Sequence, residues 1–149
     1  MSKGNKSETV YLLRILECCG KITFYVSHAP NWETFYSSSE QVWFNATLTL
    51  LVQLAEQIIK LEEQTKNNIK NVQWQLIKNF RNIVVHEYQI VNREKVYQIS
   101  SLMIPKLKES IEEYILMYQN PSMLFELQLS RNSEFYKHVD FDLITKKNM

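Results

Sequence analysis

The stretch NFRNIVVHEY, residues 79–88, gathers a guanidinium (Arg81), an amide (Asn82), an imidazole (His86) and a phenol (Tyr88) in the pattern R-N-x-x-x-H-x-Y. An imidazole titrates near neutrality and can carry a proton to or from a ribose 2′-OH or a leaving oxygen. A guanidinium can hold a phosphate through two parallel bonds and offset the negative charge that develops on it. Asn82 adds an amide able to orient either group. A histidine beside an arginine is therefore the minimum set for cutting RNA without a metal. The plainer reading is an amphipathic helix with a solvent-facing histidine and a surface arginine, built around the apolar run Ile83, Val84 and Val85.

Helix geometry constrains the first reading. Five residues on a straight helix turn through about 140°, so Arg81 and His86 do not share a face unless something intervenes. Either the helix loosens near His86, or two copies of the motif meet across a two-fold axis. Lys78, Arg93 and Lys95 flank the motif and form either a local phosphate-attracting patch or a solvated face. The remaining candidates are weaker. His28 stands beside Pro30 and His138 lies in the last stretch, neither with a second ligand at metal spacing, so no metal site is expected. Glu62 with Glu63, and Glu112 with Glu113, are neighbours that point about 100° apart on a helix and read as solvated faces. Glu17 and Glu56 lie nearer the apolar stripes, and one of them is placed to pair with Arg81 or Arg14. Trp32, Phe35 and Tyr36 read as core or interface ahead of a stacking platform for RNA.

The elements that must carry these groups are helices. The chain has 149 residues, which fits one domain, with only two glycines and three prolines to punctuate it. The apolar spacing predicts helices over about 8–26, about 39–66, about 72–88 and about 92–118, with a shorter one over 122–130. Ser7 is the expected cap of the first, and Ser38 or Ser39 of the second. Residues 27–39 read as loop. Pro105 falls inside the fourth helix and should kink or split it. The fold class expected is all-α, an antiparallel bundle of four to five helices. It is divided into a polar tail at 1–6, a bundle at 7–120 and a C-terminal extension at 121–149. A formal net charge of +1 excludes a polybasic nucleic-acid coat. Cys18 and Cys19 are adjacent, cannot easily bridge each other, and read as reduced buried thiols. The polar start and the absence of any run of about 18 uninterrupted apolar residues suggest a cytoplasmic protein with no membrane span.

FRNIVVHEY resembles the signature of the HEPN superfamily, specifically its HepT-like toxin branch. Trp74 lies seven residues before Arg81, as in that branch, and the flanking VNREKVYQI, IPKLKESIEEYI and NATLTLLVQLAEQI resemble its neighbouring segments, with Glu56 on the family's glutamate. The resemblance spans about residues 9–116. Ala55 stands where a glycine is usual and Leu50 where an asparagine is common. It implies a homodimer with two motifs facing one cleft and a metal-independent endoribonuclease with no cofactor, acting on RNA such as tRNA or mRNA. His86 would be acid or base, Arg81 the phosphate holder and Asn82 their support. It further implies a toxin–antitoxin pair of type VII. There an MntA-like nucleotidyltransferase antitoxin transfers AMP to Tyr88, whose phenol is a nucleophile, and the adduct places bulk and charge where phosphate must sit. The alternative is a non-catalytic HEPN module that scaffolds a nucleotidyltransferase or nucleotide. The extension is open to three roles: covering the cleft, extending the dimer interface or holding the antitoxin.

Overall fold

The computed structural model describes residues 7–146. The polar tail expected over residues 1–6 lies outside them. The described residues form nine helices and no strand, five of them ten residues or longer. The all-α expectation holds.

Helix α1 (Glu8–Val26) starts where the sequence placed it, because the Ser7 hydroxyl accepts the Thr9 N–H at 3.1 Å. Leu12, Leu13, Ile15, Leu16, Cys19 and Ile22 are all but fully buried. Their spacing covers more than one face, so α1 is the central helix, and α3 (Val42–Ile59) and α7 (Ile104–Tyr118) pack against it. Burial pushes the Cys18 thiol up to about 11 and Cys19 well above its ordinary range; both are free.

Three local expectations are corrected. Residues 27–39 are not all loop. Asn31 Oδ1 accepts the Thr34 N–H at 2.9 Å and starts a short helix, α2 (Trp32–Ser37), anchored by the fully buried Phe35. Neither Ser38 nor Ser39 caps α3. The chain enters that helix through three successive left-handed residues, Ser39 (φ 52°), Glu40 (φ 55°) and Gln41 (φ 69°), and no side chain caps it. Non-glycine residues adopt that conformation at a cost of about 1–2 kcal/mol each. Nor does the second helix run on to Lys66. The Glu8 carboxylate accepts from the Glu62 N–H and the Thr65 hydroxyl, which ends α3 and begins a separate α4 (Glu63–Asn68). Trp32–Ile59 is apolar enough in composition for a membrane span. The left-handed turn breaks it, and Phe44, Leu48, Leu51, Leu54 and Ile58 face the bundle core.

Helix α5 (Trp74–His86) carries the motif and is followed by a 3-10 turn, Tyr88–Ile90. Pro105 splits the next helix as expected: α6 (Arg93–Gln98) leads into a π turn at Ile99–Met103 and then α7. Proline brings no N–H to the carbonyl four residues back, and the wider turn absorbs the mismatch. Asn120 caps α8 (Pro121–Ser130), which packs on α1, and α9 (Phe141–Ile144) packs on α7. Between them the His138 N–H donates to the buried Glu17 Oε1 at 2.7 Å, and the chain passes so close to α1 that a Cβ on Gly20 would lie 2.2 Å from the His138 Cβ.

Candidate active site

Val84 is the one member of the apolar run that enters the core; Ile83 and Val85 are 41% and 45% exposed. Arg81 projects towards α3, where its Nη2 meets Glu56 Oε2 at 3.2 Å and its Nη1 donates to Asn82 Oδ1 at 3.2 Å. Of the two glutamates singled out in the sequence, Glu56 is thus the partner of Arg81. Glu17 instead takes the His138 N–H and lies 3.8 Å from Lys21. The Arg81 Nε is buried with no hydrogen-bond partner.

The helix does loosen at the motif histidine. His86 is its last residue and is exposed, and Glu87 leaves helical geometry (φ −138°, ψ 48°) while its N–H still reaches the Ile83 carbonyl at 2.7 Å. The break swings Tyr88 back onto α3, where its hydroxyl donates to Asn45 Oδ1 at 2.8 Å. Asn45 and Glu56 are eleven residues apart, about 16 Å along the α3 axis. Arg81 therefore grips the C-terminal part of α3 and Tyr88 its N-terminal part, so α3 and α5 run antiparallel and His86 stands between the two grips. Among the described residues no hydrogen bond joins Arg81 to His86.

The flanking cations do not form one patch. Lys78 lines a cleft of about 390 Å³ with Glu63, Lys66 and Trp74. Arg93 lies at the other end, its guanidinium carbon 3.9 Å from the centre of the Tyr36 ring. Both line a cavity of about 220 Å³ shared with Gln41, Phe44, Tyr88 and Gln89. Lys95 is exposed on the first turn of α6. His28 Nδ1 bonds the Phe24 carbonyl oxygen at 2.9 Å and its ring stacks on Trp43 at 4.2 Å. Among the described residues no three histidine, cysteine, aspartate or glutamate side chains come together as a metal site.

Residues 14–114 match the family model described as Ribonuclease HepT-like. The chain belongs to the HepT-like family. The match runs from within α1 to most of the way along α7 and contains every motif residue. No curated protein and no solved structure matches. The HepT-like family is a ribonuclease family of HEPN type, which is the function class that the motif's chemistry suggested.

Sequence reasoning missed Asn45, Gln41 and the placement of Tyr36. One signal was available: Asn45, Thr49, Gln53 and Glu56 recur every three or four residues on α3 and are all exposed, a polar stripe that presents both partners of the motif. The left-handed turn that sets Gln41 had no glycine to announce it.

Proposed function

We propose that this HepT-like chain is the toxin of a toxin–antitoxin pair, a cytoplasmic homodimer that cuts RNA without a metal. The observation that carries the reading is His86, exposed at the break in α5 between the Arg81 and Tyr88 grips, where a strand can reach it. In one active site, His86 of one copy takes the proton of the ribose 2′-OH, and the oxygen attacks the adjacent phosphorus. The bond to the 5′-oxygen breaks, and the partner's His86 returns a proton to that leaving oxygen. The products are a 2′,3′-cyclic phosphate and a 5′-OH. Arg81, steadied by Asn82, holds the phosphate and offsets its growing charge. The exposed Ile83, Val85 and Ile90 supply apolar surface on the motif side for the second copy.

The same reading makes Tyr88 the control point. Tyr88 is exposed and its hydroxyl is bonded, among the described residues, only to an amide oxygen, so a nucleotidyltransferase antitoxin can reach it and transfer AMP. The bulk and charge of the adduct beside His86 would turn RNA away.

The Arg81–Glu56 ion pair favours a second reading, a non-catalytic module in which Arg81 pins α5 to α3. RNA cleavage by the purified chain in EDTA, beside His86→Ala, separates the two. Cleavage that leaves cyclic phosphate ends and vanishes in the variant supports the nuclease. A folded, unmodified dimer inert on tRNA, rRNA and mRNA supports the module.

A further inference from the structure

We infer that the cavity between α2, the start of α3 and the turn after α5 is a subsite for one unpaired base of the RNA, adenine before the others. The inference rests on the RNA-cleaving reading above. Four features of the cavity carry it.

Its walls are stacking surfaces. Tyr36 and Tyr88 line it, and the nearly buried Phe44 backs Tyr36 edge to face at 4.9 Å, which holds the Tyr36 ring in place. The Arg93 guanidinium lies over the Tyr36 ring at 3.9 Å, so a flat cation already occupies one stacking position. Unpaired bases are bound on such surfaces, between aromatic rings and arginine planes.

Its polar groups suit a base edge. Gln41 and Gln89 each bring a primary amide, which offers one donor and one acceptor side by side. That pairing matches the adjacent donor and acceptor of adenine, the base glutamine reads by two bonds. Gln41 sits at φ 69°, the last of the three left-handed residues that aim the chain into α3.

Its size fits one base. At about 220 Å³ it is smaller than the roughly 300–1,000 Å³ of pockets that take drug-sized ligands. Its position joins it to the motif, because Tyr88, two residues after His86, is part of its wall.

The test uses the full chain and five probes: AMP, GMP, CMP, UMP, and ribose 5-phosphate as a base-free control. Binding is followed by NMR of the Gln41 and Gln89 side-chain amides and the Tyr36 and Tyr88 rings. We expect AMP to shift these signals and to bind at least tenfold more tightly than ribose 5-phosphate. A 2′-O-methyl oligoadenylate, which cannot be cut, should compete with it. Arg93→Gln, at an exposed position, and Tyr36→Leu should each weaken AMP about 5- to 100-fold and leave ribose 5-phosphate unchanged. Ribose 5-phosphate binding as well as AMP would overturn the inference, as would shifts that map elsewhere. AMP binding that the oligoadenylate fails to displace would also overturn it, leaving a mononucleotide site. A chain that binds AMP here but cuts no RNA keeps the cavity and loses the nuclease. A chain that cuts RNA without base preference and ignores AMP does the reverse.

Discussion

Glu56→Gln removes a competitor from the Arg81 guanidinium while keeping the side chain's shape. The two groups are 3.2 Å apart, with the arginine side chain 25% and the glutamate 49% exposed. Half-solvated pairs of this kind contribute about 0.2–1 kcal/mol. An RNA phosphate that draws Arg81 to itself must give up that energy. At about 1.4 kcal/mol per tenfold, the wild type forfeits roughly 1.4- to 5-fold in affinity, and Glu56→Gln should recover it. The assay is equilibrium binding of a single-stranded RNA on a His86→Ala background, so that the strand stays intact. Affinity should rise by that factor, while the plot of log affinity against log salt keeps its slope, because the same number of phosphates is neutralised in both proteins. The melting temperature should fall by about 1–3 °C, as the loss of up to 1 kcal/mol implies for a chain of this size. A lower melting temperature with unchanged affinity would refute the reasoning and leave Arg81 as a pin between α3 and α5.

Tyr88→Phe loses an exposed hydrogen bond to Asn45 and should shift stability by no more than about 0.5 kcal/mol. Co-expressed with its nucleotidyltransferase, that variant should show no nucleotidyl mass increase, and a persisting increase would place the modification elsewhere. Gly20→Leu drives a side chain into His138 and should cost about 1–3 kcal/mol. Limited proteolysis should then cut between Arg131 and Asp140, and an unchanged digest would sink the account of that contact. Burial holds the folded Cys18 thiol at about 11 against an ordinary 9.0. The stability this contributes is complete below about pH 9 and lost as pH rises towards 11. Urea midpoints at pH 8 and pH 10.5 should therefore differ more in the wild type than in Cys18→Ala, and equal differences would contradict it.

Local signals made much of the fold legible. Ser7 announced α1, and the 3.6-residue period marked the four main helices. Pro105 announced the split before α7, although the π turn that relieves it has no residue code. What stayed hidden depended on distant partners. Glu8 ends α3 from 54 residues away, so nothing near Glu62 predicts the break. The left-handed entry at Ser39–Gln41 uses no glycine, so its cost must be met by packing that local sequence does not display. At the site, the residue types and the choice between helix and break could be read from the motif. The Arg81–Glu56 pair was one of several partnerships left open, while Asn45 was overlooked because an exposed asparagine on an amphipathic helix looks like ordinary solvation.

The Glu17–His138 bond bears on the order in which the chain folds during synthesis. Its two ends are 121 residues apart, yet Glu17 sits on the central helix. At about 5–20 residues per second, the ribosome needs roughly 6–24 s to deliver the backbone N–H that bonds its Oε1. Until then the Glu17 carboxylate lacks that bond and keeps the Lys21 ammonium, 3.8 Å away, as its partner on α1. Helices α1, α3 and α5 can collapse early, but the final packing of α1 waits for His138. A nascent fragment holding the whole R-N-x-x-x-H-x-Y motif is thus still without the segment that completes its central helix, and release of the native state is timed to translation well beyond the motif.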